Sequence, residues 1–208
     1  MKIKLDNCEI MNIAGPDGET HVGGSQEWYE DRWHKMSGCG PVAASNLIWC
    51  LTRRNGSKEQ YLELMREMYT FVKPGIRGVN TSGIFTDGIM RYASKAGLQF
   101  NPQILEIPKN PGERPDICRL LDFITSALRS NAPVAFLNLS NGTLQNLENW
   151  HWVTIISLDD ESRLVDVSDH GKTLEIDISE WLKTTRLGGA LIYLAGDCRS
   201  AFSAPCWQ

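Results

Sequence analysis

Apolar residues recur at helical spacing from Cys39 onwards. Residues three and four apart are neighbours on one face of a helix, so the pattern predicts a helix over about residues 40–54 with one buried face. Pro41 falls in the first turn, where a missing N–H group is tolerated, and Asn55-Gly56 is typical of a helix end. The apolar positions that define the pattern are Ala43, Ala44, Leu47, Ile48 and Leu51.

Three further helices are predicted downstream. Ser57 and Gln60 have the spacing of a capping box and precede an apolar pattern over about residues 58–71. A second amphipathic pattern covers about residues 82–96, and a third begins at Pro115. Each has an apolar stripe, so each is expected to pack on a core through one face.

The second half of the chain changes to short runs that are rich in β-branched residues or alternate between apolar and polar positions. Such runs predict strands. We predict strands at about residues 98–107, 133–140, 151–158, 164–169, 172–178 and 190–195, and a short helix at about 179–185. Helices followed by strands indicate an α+β fold, in which an N-terminal helical half packs on a C-terminal antiparallel β-sheet.

The domain organisation follows from the length and from the N-terminal segment. A chain of 208 residues suits one domain. Residues 1–36 show no clear periodicity and carry turn signals at Gly15-Pro16-Asp17-Gly18 and Gly23-Gly24-Ser25. We therefore predict a single domain over residues 1–208, with residues 1–23 as an irregular N-terminal extension within it.

Composition and charge argue against several classes of partner. The formal net charge is -4 and the 21 Lys and Arg residues are scattered, so no nucleic-acid partner is expected. No stretch approaches the roughly 18 uninterrupted apolar residues of a membrane-spanning helix. The N-terminus also has no apolar run of secretory length. We therefore expect a cytoplasmic protein with no membrane partner.

The cysteines show no metal-binding or disulfide pattern. They lie at positions 8, 39, 50, 118, 198 and 206, and no two form a Cys-x-x-Cys pair. Structural zinc sites need ligands in close pairs, so this spacing disfavours one. A disulfide framework is also disfavoured in a chain of this length without a secretory signal. Most of the six are expected to be small buried apolar residues.

Cys39 is the exception, because it begins the first predicted helix between two glycines, in Ser37-Gly38-Cys39-Gly40-Pro41. The glycines allow a tight turn and leave the sulfur accessible. The helix N-terminus directs N–H groups and partial positive charge at the thiol, which favours the reactive thiolate. The same N–H groups are suited to hold a developing oxyanion. The alternative is a small buried cysteine at a helix start.

A nucleophilic cysteine needs a base, and His151 is the candidate among the four histidines. It begins a long apolar strand directly after a polar loop. His21 and His34 lie in the irregular N-terminal segment, and His170 follows a strand. A cysteine paired with a histidine from a distant strand is the arrangement of thiol hydrolases.

The third catalytic residue is expected to accept a hydrogen bond from the imidazole. Asp169 ends the predicted strand that follows His151, and the end of one antiparallel strand lies beside the start of its neighbour. Asp166 competes, but side chains alternate along a strand, so it points to the opposite face from Asp169. We therefore favour Asp169.

The segment from Gly38 to Asn46, followed by His151-Trp152-Val153 and then Asp169, resembles the C39-like family of papain-like cysteine peptidases. The resemblance covers residues 24–195. It implies a cysteine nucleophile, a histidine base and an orienting aspartate in a cleft between the helical half and the sheet. It also implies hydrolysis of a peptide or protein substrate through an acyl-thioester intermediate, with no metal or organic cofactor.

Two positions depart from the family pattern. His170 follows the aspartate, where the family often has proline. Papain-like enzymes also commonly carry a glutamine a few residues before the nucleophile as an oxyanion donor, and that place is Trp33 here. Gln26 lies further upstream and is expected to take the role if the intervening segment loops out. Otherwise the oxyanion relies on the N–H of the nucleophile and on His34.

Two other functions are compatible with the same residues. An acyltransferase or amidase shares the thioester chemistry and differs only in the acceptor, and a non-catalytic peptide-binding relative keeps only the fold. Four tryptophans crowd the catalytic segments, either as walls of a substrate groove or as core residues. These are Trp28, Trp33, Trp150 and Trp152. Substrate sequence and oligomeric state are left open by the sequence.

Overall fold

The structure, a computed structural model, describes residues 1–6, 8–15, 18–52 and 56–196. The predicted helix end at Asn55, the turn at Pro16 and Asp17, and Cys198 and Cys206 lie outside these residues. The helices are α1 (Arg32–Ser37), α2 (Cys39–Leu51), α3 (Lys58–Phe71), α4 (Ser82–Ala96), α5 (Ile117–Arg129) and α6 (Ile178–Thr184). None of these described helices combines the length and apolar character that crossing a bilayer requires.

The strands form a mixed α+β architecture with the helices, as the sequence predicts at that level. They are β1 (Lys2–Lys4), β2 (Asn12–Ala14), β3 (Thr20–Val22), β4 (Asn101–Ile107), β5 (Val134–Asn138), β6 (His151–Asp159), β7 (Leu164–Asp169), β8 (Lys172–Asp177) and β9 (Gly189–Ala195). Seven of them make one antiparallel sheet in the order β4-β9-β5-β6-β7-β8, with β1 also paired to β6. The remaining two, β2 and β3, form a hairpin.

The sheet is covered by apolar side chains on both faces. In β5, Ala135 and Leu137 belong to the core beneath α2, α3 and α4, whereas Val134 and Phe136 belong to a second core with α5 and α6. This alternation follows from the period of two along a strand. The sequence predicts one helical half on the sheet, and the structure adds a helical layer on the opposite face. Trp181 of α6 fixes that layer, because it packs on Phe136 and donates to the Asn138 side chain.

Helix α2 is more deeply buried than its pattern predicts. The sequence indicates one buried face, but every residue from Gly40 to Cys50 is buried. Small side chains such as Ala43 and Ala44 let the neighbouring helices and the sheet approach from several sides. The helix that carries Cys39 is therefore a central and fixed element of the fold.

Most predicted boundaries agree with the structure, and the exceptions lie at the ends of elements and in the N-terminal segment. The predictions for residues 58–71, 82–96 and 164–169 are confirmed. Helix α5 begins at Ile117 rather than at Pro115, because the Asp116 carboxylate caps it by accepting from the Arg119 N–H. The prediction that residues 1–36 are irregular is wrong in part, since β1, β2, β3 and α1 form there.

The capping box of α3 gives a first stability prediction. The Ser57 hydroxyl accepts from the Gln60 N–H, and the Gln60 side chain accepts from the Ser57 N–H. Replacing Ser57 by alanine leaves a helix N–H without its acceptor, so we expect the free energy of unfolding in urea to fall by about 1 kcal/mol. Ser94→Ala, an exposed change inside α4, is the matched control and should leave stability within about 0.5 kcal/mol. Equal losses in both variants would contradict a role for the cap.

Candidate active site

Cys39 is the first residue of α2, and two glycines shape the chain around it. Gly38 precedes it as the N-cap, and a Cβ there would lie 2.5 Å from the His34 carbonyl oxygen and 2.6 Å from the Tyr29 ring. On the other side, a Cβ on Gly40 would lie 2.8 Å from the Val79 side chain. Neither position has room for a side chain. The half-buried sulfur is therefore held at the helix N-terminus by backbone that packs closely on its surroundings.

His151 is the first residue of β6 and is only 4% exposed. It pairs with Asn138 of β5, so its backbone is held inside the sheet. The residue before it, Trp150, has a φ of 56°, a left-handed conformation that is uncommon outside glycine. Unusual backbone conformations are often found at functional sites. Here the turn at Trp150 directs the chain from an exposed loop into a buried strand.

Asp169 ends β7, and its Oδ1 lies 2.7 Å from His151 Nε2. The competing carboxylate, Asp166, accepts from the Ser157 hydroxyl and pairs with Lys2 instead. The structure therefore places Asp169 with the imidazole and Asp166 elsewhere, as the alternation along the strand predicts. The same carboxylate oxygen of Asp169 lies 3.7 Å from His170 Nε2.

Cys39 and His151 line the same small cavity, and the pKa values of the site depend on these neighbours. Burial alone would lower the pKa of His151, but its hydrogen bond to Asp169 and the neighbouring Cys39 outweigh burial and raise that pKa to about 10. Burial would raise the pKa of Asp169, but the hydrogen bond from His151 and the charge of that ring hold the pKa below its usual value. Both directions favour an imidazolium beside a carboxylate.

The raised pKa of His151 predicts that stability falls at alkaline pH. The unperturbed value is 6.5, whereas the ring keeps its proton up to about pH 10 in the folded chain. The stabilisation from the His151–Asp169 ion pair is fully present below about pH 6.5 and is lost as pH rises through the folded-state pKa of His151. We expect the free energy of unfolding in urea to fall by about 1 kcal/mol per pH unit between pH 7 and pH 9. His151→Asn should flatten this slope, and an unchanged slope in that variant would assign the effect to other groups.

Gln26 lies near Cys39 in spite of its distance in sequence. It begins a 3₁₀ turn that is capped by Ser25, and it lines a small cavity together with Cys39 and His151. Its Oε1 is buried and has no hydrogen-bond partner. The intervening segment forms α1, which accounts for the long spacing. His34, the alternative, packs its ring against Tyr29 and Tyr69 and does not line this cavity.

A larger cleft of about 520 Å³ opens on another side of Cys39. Four large apolar side chains that remain exposed line it: Trp33, Met36, Ile76 and Trp150. Ile76 is 95% exposed and Trp150 is 50% exposed. A contiguous patch of this kind marks a binding surface more often than a scattered one. Of the four tryptophans noted in the sequence, Trp33 and Trp150 line the cleft, whereas Trp152 is a buried core residue stacked on Phe85.

Asn46 is a site-supporting residue to which the sequence gives no role. It is 2% exposed, and its Oδ1 accepts from the Gly24 N–H and the Tyr61 hydroxyl. Its Nδ2 donates to Thr154 in β6 and is 3.5 Å from the Ser168 hydroxyl in β7. One side chain of α2 therefore ties the helix of Cys39 to the two strands that carry His151 and Asp169.

Within the described part of the chain, one group of side chains could hold a metal ion. Ligand atoms of Glu148, His151 and His170 all lie within 4.8 Å of one another. The sequence disfavours a metal site on the basis of cysteine spacing alone, and this group contains no cysteine. Glu148 lies in the polar loop before β6, and His170 lies in the turn after β7.

Neither a comparison with protein-family models nor a search of curated proteins finds a match for this chain. The function therefore has to be argued from the geometry of the site.

Proposed function

We propose that the chain is a cysteine peptidase that cleaves peptide bonds with Cys39 as nucleophile, His151 as base and Asp169 as orienting carboxylate. The observation that carries the proposal is the position of the His151 ring, which hydrogen-bonds Asp169 and lines the same small cavity as Cys39. A nucleophile, a base and a group that orients the base are the parts that thiol hydrolysis needs. A cysteine at a helix start facing an antiparallel sheet is also in keeping with a papain-like fold of the C39-like branch.

The proposed reaction follows from these contacts. The Cys39 thiolate attacks the carbonyl carbon of the peptide bond and forms a tetrahedral oxyanion. The oxyanion collapses as the C–N bond breaks, and protonated His151 gives its proton to the leaving amine. His151 then takes a proton from water, which attacks the acyl-thioester and releases the acid and the thiol. Asp169 keeps the ring in one orientation throughout and favours its charged form.

The oxyanion is held by two donors in this proposal. The N–H of Cys39 belongs to the first turn of α2, where backbone donors have no partner within the helix. The second donor is the Gln26 amide, which lines the same cavity as the sulfur. Gly24 fixes the start of this segment, because its N–H donates to Asn46 Oδ1. The long spacing between Gln26 and the nucleophile is therefore compatible with an oxyanion role.

The cleft beside Cys39 is the proposed site for the substrate chain. Its exposed apolar walls suit an extended peptide with a bulky apolar side chain near the scissile bond. The partner is therefore a peptide or protein. An acyltransferase or amidase would use the same thioester, and a non-catalytic relative would bind peptides without cleaving them.

Labelling with an electrophilic peptide-like probe tests the proposal. The wild-type chain at neutral pH should be modified at Cys39 and should release cleaved peptides from a substrate library read by mass spectrometry. Cys39→Ala should lose both signals. Cys118→Ala is the matched control, because Cys118 is an exposed cysteine outside the site. Products acylated on an added amine instead of on water would indicate a transferase, and labelling that is unchanged in Cys39→Ala would overturn the proposal.

A further inference from the structure

Three segments bring together side chains whose chemistry suits metal ions. Glu148 lies in the loop before β6, His151 begins β6, and His170 follows β7. The loop is tied to the sheet, because the Asn138 side chain donates to the Glu148 carbonyl oxygen. The ligand atoms of all three side chains lie within 4.8 Å of one another, a spacing from which small side-chain rotations can close on one ion.

His170 lies in the tight turn between β7 and β8. Asp169 and Lys172 are paired across a two-residue turn whose central residues, His170 and Gly171, have φ values of 47° and 74°. Such turns favour asparagine, aspartate or glycine at the first of these positions, and histidine also adopts this conformation more often than most residues. The imidazole of His170 is stacked on the His151 ring, with 5.4 Å between the ring centroids and an angle of 15° between the ring planes. The turn therefore places a second imidazole beside that of His151.

The chemistry of the three ligands selects a class of metal. Two imidazoles and a carboxylate are a common ligand set for Zn²⁺, whereas Mg²⁺ and Ca²⁺ prefer oxygen ligands. Imidazoles that bind zinc are usually held by a carboxylate on the second ring nitrogen. Asp169 already holds His151 in this way, with 2.7 Å between Asp169 Oδ1 and His151 Nε2. Glu148 is exposed and His170 is partly exposed, so an ion can enter from solvent.

We propose that Glu148, His151 and His170 form a zinc site that inhibits the enzyme when it is occupied. Because Asp169 holds Nε2 of His151, the metal takes the other ring nitrogen, Nδ1, and a ring held in this way cannot transfer protons in catalysis. Zinc binding itself does not depend on the proposed function, whereas inhibition rests on it. Free Zn²⁺ would then be a reversible inhibitor of peptide hydrolysis.

Zinc binding is measured directly by letting the purified full chain compete with a chromogenic chelator for Zn²⁺. The buffer contains a phosphine reductant, which keeps the cysteines reduced. We expect one Zn²⁺ per wild-type chain. His170→Asn keeps the turn, since asparagine is favoured there, and should weaken binding about ten-fold or more. Glu148→Gln should weaken binding without changing the rate of peptide hydrolysis in the absence of metal. Glu161→Gln, an exposed carboxylate far from the cluster, is the matched control and should bind as the wild type does.

The outcomes separate the site from the function. No binding at millimolar Zn²⁺, or equal binding in the wild type and both cluster variants, overturns the site. Binding that survives both changes but disappears in Cys39→Ser assigns the metal to the thiol and also overturns it. If zinc binds as expected while the wild type hydrolyses no peptide, the site stands and the peptidase proposal fails. Inhibition that persists unchanged in His170→Asn and Glu148→Gln rules out this site as its cause.

Discussion

Replacing His151 by asparagine is expected to lower kcat/KM for peptide hydrolysis at least about a thousand-fold, because general acid–base catalysis by one residue contributes on that scale. The proposed reaction needs the ring twice, once to protonate the amine and once to activate water. Asparagine still reaches Asp169 but does not transfer protons at neutral pH. Steady-state rates on the best peptide from the library measure the loss, and circular dichroism checks the fold.

Two companion variants make this result specific. Asp169→Asn keeps the imidazole but loses the carboxylate, so we expect a smaller loss, about a hundred-fold at the lower end of acid–base effects. His34→Asn changes a histidine that packs between Tyr29 and Tyr69, and its rate should stay close to that of the wild type. A rate in His151→Asn close to the wild-type rate would show that another group is the base.

Replacing Asn46 by alanine is expected to destabilise the chain by about 3 kcal/mol or more, since a buried polar group left without its partner costs about 1–3 kcal/mol. The change leaves the Gly24 N–H and the hydroxyls of Tyr61 and Thr154, all of them buried, without this partner. Urea unfolding followed by tryptophan fluorescence measures the loss of stability.

Ser45→Ala is the matched control for this prediction. Ser45 is the neighbouring residue in α2 and is equally buried, but its hydroxyl donates only to the Pro41 carbonyl in the same helix. Its loss should cost about 1 kcal/mol or less, the ordinary value for one local hydrogen bond. A cost for Asn46→Ala no larger than that for Ser45→Ala would show that the network does not hold the helix to the sheet.

The helices could be predicted because their signals are local. Helix α3 has a capping box and an apolar stripe within its own sequence, and α4 ends at Gly97, whose φ is 67°. Strand β7 has its bounds marked by a turn on each side. These features depend on residues only a few positions apart, so one sequence is enough to locate them.

The N-terminal strands and the second helical layer could not be predicted, because they depend on distant partners. Strand β1 has three residues and is defined by its pairing of Lys2, Ile3 and Lys4 with the end of β6. Nothing in so short a segment distinguishes a strand from an irregular tail. The amphipathic stripe of α5 predicts a buried face but does not say which face of the sheet receives it.

In the candidate site, too, some residues could be predicted from local sequence, whereas others depend on distant partners. Cys39 is marked by its flanking glycines, and Asp169 by the order of strands and the alternation of side chains. The roles of Asn46, Glu148 and His170 depend on groups brought together from different elements. Glu148 in a polar loop looks like any solvated carboxylate until the fold places it beside two imidazoles.

The order of strands has a consequence for the timing of synthesis. Strand β9 lies between β4 and β5, so the sheet is continuous only after residues 189–195 have joined it. A ribosome exposes Cys39 long before it has made the hairpin that carries His151 and Asp169. In a nascent chain Cys39 is therefore present without His151, while the unfolded backbone is still accessible. The proposed peptidase activity arises only after folding, when few peptide bonds of the chain itself remain accessible.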